Sequence, residues 1–152
     1  MKLAEALILR ADYMTRISQL RQRLSNNAKV QEGEQPAEDP QALLKEFERV
    51  ADGLMDLIKR INKTNTITAF DPQKTLTDAL AERDVLATRR KVYDELVNAA
   101  SATQDRYSRS EIKFKSTVDI KTLQKKVDDL AKAYRELDTK IQSLNWTVEL
   151  LD

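Results

Sequence analysis

The sequence predicts an all-α protein, four long helices in an up-down bundle or coiled-coil arrangement, with room for a small β element in the connectors. Three observations predict it. The composition, 34% charged and 5% aromatic with two Gly and three Pro in 152 residues, is that of long helices with solvated faces. Ile120, Leu123, Val127, Leu130, Tyr134, Leu137, Ile141, Leu144, Val148 and Leu151 alternate spacings of three and four without a break, the heptad seam of a packed helix about 48 Å long. Polar stretches with capping residues or proline separate the apolar runs.

The first helix spans about 2–27. Leu3, Leu7, Met14, Ile17 and Leu24 share one face, Ala6, Tyr13 and Leu20 widen it, and Arg10 and Arg21 fall on the same register. A polar loop with Glu32, Gly33, Glu34 and Pro36 follows. Asp39 before Pro40 is a start signal, an acceptor at the N-cap with proline pre-set at the first helical position, for a second helix over about 40–65. Its expected seam is Leu44, Phe47, Ala51, Leu54, Ile58 and Ile61, with Leu43, Val50 and Leu57 beside it at sevenfold spacing. Gly53 in the middle costs about 1 kcal/mol of helix propensity and points to a close neighbour. The β-branched residues of Thr64-Asn65-Thr66-Ile67-Thr68 and then Asp71-Pro72 end this segment.

A third helix is expected over about 75–103, capped by Thr75 with Asp78. Leu76, Leu80, Leu86, Tyr93, Val97 and Ala100 form a face only if Arg83 and Arg90 join it. Ile112, Phe114 and Val118 then alternate with Lys113, Lys115 and Thr117, a period-two pattern for a short strand pairing with the segment after helix two. Asp119 caps the last helix, about 119–151. No solenoid repeat is present, and a single domain over 1–152 is the expectation.

Lys plus Arg number 26 against 25 Asp plus Glu, so the net field offers nucleic acid or anionic lipid little. Tyr107 or Phe114 beside Lys113 and Lys115 is thin support for stacking on bases, and nucleic acid is not an expected partner. The chain has no Cys and no His, which removes thiolate chemistry, the commonest general base and the commonest transition-metal ligand. No window approaches the apolar length of a membrane span, and the 3–9 stretch, broken by Glu5 and ended by Arg10, is helix rather than export signal. A cytoplasmic setting is the simplest reading.

The motif order resembles an uncharacterised bacterial family whose members often carry the label septicolysin. The residues that carry the resemblance are Met1-Lys2-Leu3-Ala4-Glu5-Ala6-Leu7, Ala28-Lys29-Val30-Gln31-Glu32-Gly33-Glu34, Leu76-Thr77-Asp78-Ala79-Leu80-Ala81-Glu82-Arg83-Asp84, Arg106-Tyr107-Ser108-Arg109-Ser110-Glu111-Ile112-Lys113 and Leu144-Asn145-Trp146. The resemblance implies a helical, self-associating protein of unknown function. Membrane lysis, which the label suggests, has no counterpart in a segment built to insert.

The polar constellations are few. Arg106, Tyr107, Ser108, Arg109, Ser110 and Glu111 concentrate guanidinium forks and hydroxyls that match a small anion, or else fix the loop by bonding backbone and helix ends. Arg10, Asp12, Arg83, Asp84 and Arg90 form either a paired network near the core, with Arg21 and Glu111 as further members, or snorkelling side chains. Glu32 and Glu34 about Gly33 offer oxygens to a hard cation, but their spacing matches no full ligand loop, so neither metal nor cofactor is expected. The leading expectation is a non-catalytic structural or interaction protein that self-associates through Leu130, Tyr134, Leu137, Ile141 and Leu144. The alternative is a small-anion or nucleotide-binding module centred on Arg106 to Glu111.

Overall fold

The computed structural model describes residues 1–102 and 112–152. The chain is all-α with one small sheet: α1 (Leu3–Asn26), α2 (Pro40–Ile67), β1 (Ala69–Asp71), β2 (Lys74–Thr75), α3 (Leu76–Ser101) and α4 (Ile120–Thr147). It divides into two compact units, one of Met1–Ala69 with Ser143–Asp152, the other Phe70–Gln142.

In the first unit α1 and α2 form a helical hairpin. Arg23 pairs with Glu38 and Arg16 with Glu46, while the Tyr13 ring lies against Gly53. Partner numbers rise on α2 as they fall on α1, so the helices run antiparallel. Leu20, Leu43 and Val50 are buried between them, with Tyr13, Ile17, Leu24 and Phe47 packed around. Each fully buried leucine or valine contributes about 1.5 to 3 kcal/mol. Asp39 caps α2, its carboxylate accepting from Gln41 N at 3.0 Å, as the Asp-Pro pair predicts. Asn27, buried at the end of α1, donates to Arg23 O at 2.8 Å and accepts from Glu38 N at 2.9 Å. It thereby fastens both ends of the intervening loop, whose turn at Gln31 to Glu34 uses Gly33 at φ 87°, a conformation that favours glycine.

Both faces hold most of the expected residues, Leu7 and Ala51 included, and differ from the expected ones along one edge. On α1 the covered series is Leu3, Ala6, Arg10, Tyr13, Ile17, Leu20, Leu24 and Asn27, while Met14 and Arg21 are exposed. On α2 it is Leu43, Phe47, Val50, Leu54, Leu57, Ile61 and Thr64, leaving Leu44 and Ile58 exposed. Two three-four registers one residue apart were both available in the sequence. Packing against a partner chooses between them, and pattern within one helix does not.

Helix α2 runs through the β-branched stretch to Ile67, two residues beyond the expected end. Thr64, Thr66 and Thr68 donate their hydroxyls to the carbonyls of Arg60, Asn62 and Thr64 at 2.7 to 2.8 Å, the back-bond by which threonine tolerates a helix. Thr64 is fully buried and also accepts from Leu151 N at 3.0 Å. Residues 148–152 lie beyond α4, with Glu149 in a β-bridge. Helix α4 ends at Thr147, so Val148 and Leu151 lie outside the helix expected to reach 151. Leu3 N donates to Val148 O at 2.9 Å and Leu150 N to Met1 O at 2.8 Å, an antiparallel bridge centred on Lys2 and Glu149. Those pairings take the backbone groups that another helical turn would need.

In the second unit β1 and β2 make a hairpin closed by Asp71, whose carboxylate accepts from Gln73 N at 2.8 Å and Lys74 N at 3.0 Å. The strand after helix two therefore pairs with residues 74–75. Segment 112–118 is not a strand, and Ile112 and Phe114 are 75% and 81% exposed; alternation alone gives no ladder without a neighbouring edge. Thr75 and Asp78 form the expected capping box on α3. Asp119 caps α4, accepting from the Thr122 hydroxyl at 2.7 Å and its N–H at 3.4 Å. Arg83 meets Asp138 and Tyr93 meets Lys126, so α3 and α4 are antiparallel. The α4 seam is covered within the chain: Val127, Leu130 and Ile141 are buried, and Tyr134, Leu137 and Leu144 are half-buried. Of the residues expected to join copies, Leu130 and Ile141 are thus covered within the chain, while Tyr134, Leu137 and Leu144 keep part of their surface exposed.

Two substitutions test this packing. Thr64→Val should leave Leu151 N–H buried without its acceptor and cost about 1 to 3 kcal/mol, seen as a lower urea midpoint at unchanged m, whereas Thr64→Ser, which keeps the hydroxyl, should cost less. Gly53→Ala should stabilise by up to about 1 kcal/mol, because the added methyl meets Tyr13 at 3.4 to 3.5 Å, ordinary contact. Gly53→Leu should destabilise by displacing that ring. A fall in melting temperature for Gly53→Ala contradicts the geometry.

Candidate functional site

Helix α3 carries two apolar stripes. The inner one buries Leu76, Ala79 and Val97 and half-buries Leu80, Arg83, Leu86, Tyr93 and Ala100. The outer one, Glu82, Val85, Arg89, Val92 and Leu96, has the same three-four spacing and is exposed throughout, with Val85 at 48%, Val92 at 60% and Leu96 at 41%. An open groove of about 560 Å³ lies along its N-terminal half, lined by Asp78, Ala81, Glu82, Val85, Leu86 and Arg89. The floor is apolar and the rim carries both signs of charge. Reading α3 for its core face alone misses this stripe. Searching the same helix for a second three-four series finds it.

Charge in this unit is arranged around two anchors. Arg83, half-buried, donates from Nη1 to Asp138 Oδ1 at 2.9 Å, and Gln142 Nε2 donates to the same oxygen at 3.3 Å. Arg83 Nε is buried without a hydrogen bond and stands 3.5 Å from Asp84 Oδ1. Burial pulls the Arg83 pKa down, and the bond and charge of Asp138 outweigh it, so the net shift is upward. The Phe70 ring carries Lys74 Nζ at 5.3 Å and Lys140 Nζ at 4.2 Å from its centroid, within cation–π range. Lys74 also donates to Glu82 at 2.8 and 3.0 Å, which raises its pKa.

The five-residue network expected from the sequence is not what forms. Arg83 and Asp84 are neighbours as expected, but the hydrogen-bonded partner of Arg83 is Asp138, a position on α4 that sequence proximity does not reveal. Arg90 is exposed beside Lys91, Asp94 and Tyr134 in a groove of about 420 Å³. Arg10 is half-buried in α1, and Asp12 is exposed in a groove with Arg16, Arg23 and Glu46. Arg106, Tyr107, Ser108, Arg109, Ser110 and Glu111 lie outside the described residues. Glu32 and Glu34 are exposed at the turn, and among the described residues no group of three or more metal-ligating side chains converges.

Among the described residues, each ionisable group with a displaced pKa is displaced toward its charged form. Hydrogen bonds from Arg23, Arg16 and Lys2 lower Glu38, Glu46 and Glu149 respectively. The Thr75 N–H and then its hydroxyl lower Asp78; the Thr122 hydroxyl and then its N–H lower Asp119. Glu38 in turn raises Arg23. Such groups position and cap. A general acid or base for neutral pH needs the opposite displacement, toward 7.

A family profile described as "Family of unknown function (DUF6847)" matches residues 10–150. A crystal structure described as that of a functionally unknown conserved protein from Corynebacterium diphtheriae is 49% identical, with 99% of each chain covered and a TM-score of 0.95. Among curated proteins none matches the chain.

The lowered carboxylates set a pH dependence. A carboxylate held below its ordinary value near 4.5 for Glu or 3.8 for Asp gives its full stabilisation above that value and loses it as pH falls through the lowered one. Unfolding free energy should therefore be flat from neutral pH down to about pH 5 and decline below about pH 4. Glu38→Gln, which removes one such group, should make the decline shallower in urea titrations between pH 7 and 3.

Proposed function

The chain belongs to this family of unknown function, and from the geometry above we propose that it is a non-catalytic structural or interaction protein that self-associates. The observation that carries the reading is the outer stripe of α3, where Val85, Val92 and Leu96 recur on one three-four row and are exposed, with no covering element among the described residues. Scattered exposed apolar side chains are ordinary, but a periodic row of them marks a contact face. The charge pattern supports the same reading, since the displaced groups lie in ion pairs and caps. A cytoplasmic setting and kinship with the septicolysin-labelled proteins belong to this proposal. No helix of the described residues is long and apolar enough to cross a membrane.

Light scattering tests it. At concentrations on the order of tens of micromolar, below which weak contacts dissociate, the mass should be a multiple of 17.4 kDa. Val85→Lys should move it toward the single-chain value without changing the circular dichroism. A parent protein that stays at one chain mass refutes the reading.

A further inference from the structure

We propose that the occupant of the α3 outer stripe is the same stripe of a second copy, packed antiparallel about a two-fold axis near Val85, with Glu82 of each copy facing Arg89 of the other. This rests on the self-association reading above and deepens it.

The order of charges along the stripe selects the arrangement. Asp78 and Glu82 lie toward its N-terminal end, Val85 follows, and Arg89 comes next. A parallel pair of copies sets Glu82 on Glu82 and Arg89 on Arg89, like charge on like. An antiparallel pair sets acid on base. The spacing fits closely: Glu82 is three residues before Val85 and Arg89 four after it, about 4.5 and 6 Å along a helix rising 1.5 Å per residue. Rotation about an axis at Val85 therefore brings each Arg89 to within about one residue's rise of the opposite Glu82. The groove between them, about 560 Å³ and floored by Ala81, Val85 and Leu86, receives the Val85 of the other copy. A two-fold contact uses one patch twice, so the patch has to be self-complementary, and about Val85 this one is so in charge, Glu82 against Arg89, with Val92 of each copy beside Asp78 of the other.

The other exposed apolar row, Leu44, Met55 and Ile58 on α2, fails that requirement. Its register contains Glu48 and Asn62 but no basic residue. Glu82 already receives Lys74 within its own chain, and a carboxylate has room for a second donor.

A charge swap tests the geometry. Glu82→Arg and Arg89→Glu, made singly, each put two like-charge contacts into the two-fold pair. Each should weaken self-association at least about tenfold and should give a light-scattering mass near 17.4 kDa. An equimolar mixture of the two variants restores both opposite-charge contacts, because Arg at 82 of one copy meets Glu at 89 of the other, and the mixture should return to twice the chain mass. Arg89→Glu leaves the Lys74–Glu82 pair intact, and circular dichroism confirms that each variant is folded. Val85→Lys, at an exposed position on the axis, should disperse the pair and should not be rescued by mixing. A parent that associates while the single variants remain paired, or while the mixture stays dispersed, overturns this arrangement and leaves self-association standing in another geometry. A parent of single-chain mass overturns both.

Discussion

The hydroxyl of Thr64 is the contact on which the first unit turns. It occupies the position where the covered row of α2, Leu43, Val50 and Leu57 at intervals of seven, would place a fourth apolar side chain. It is fully buried, yet its one donor and one of its acceptor sites are used, toward Arg60 O at 2.8 Å and from Leu151 N at 3.0 Å. A buried hydroxyl satisfied in this way costs little, and one left unsatisfied costs far more. The segment 148–152 is therefore fixed to α2 at a single address. Arg60 adds bonds to Leu151 O at 3.1 Å and Asp152 at 2.9 Å, and Lys63 adds one to Asp152 O at 2.7 Å. The same segment pairs its backbone with Met1 and Leu3. An apolar residue at 64 would fill the space and leave the Leu151 N–H without this acceptor.

Around that anchor the energetics divide by depth. Apolar residues on the three-four rows carry the stabilisation, while the ion pairs Arg16–Glu46 and Arg23–Glu38 are partly exposed. Pairs of that kind, screened by water and salt, contribute little to stability. They fix which turn of α1 faces which turn of α2. Arg83 differs because it sits on the inner row of α3. Its guanidinium is partly desolvated and tied to Asp138, so removing Asp138 would leave a half-buried charge with a weaker set of partners. The stem of such an arginine still packs as an apolar group, which explains how a cation sits in an otherwise apolar row.

Much of this was legible in the sequence wherever the signal is local. Asp39 with Pro40, Thr75 with Asp78, and Asp119 each act within three residues, and each caps the helix it announces. Gly53 marked the close approach that Tyr13 makes. The α4 row was legible because it offers only one register. On α1 and α2 two registers compete, and Met14, Arg21, Leu44 and Ile58 were assigned to faces that packing turns to solvent. Nothing within one helix chooses between them. The end of α4 was missed for a related reason: Val148 and Leu151 keep the spacing, but the backbone there pairs with Met1 and Leu3, residues at the far end of the sequence. Asp138 was invisible as the partner of Arg83 because only the antiparallel crossing of α3 and α4 brings the two together. The outer stripe of α3 is not legible as a contact face because its valines and leucine alternate with Glu82 and Arg89, and a row interrupted by charge reads as a solvated face.

That interruption is what gives the stripe its physical character. An unbroken row of Val and Leu on an exposed helix face would bind any apolar surface and would favour aggregation. Placing an acid on one side of Val85 and a base on the other lowers the gain from non-specific burial. It also makes a wrong alignment costly, since a shifted or parallel neighbour brings like charges together. The inner row of the same helix uses the opposite tactic, with Arg83 neutralised by a fixed partner so that the charge sets registration between α3 and α4. One helix thus uses arginine twice, inwardly with its counter-ion supplied by Asp138, outwardly at an exposed position between the apolar residues Val85 and Val92.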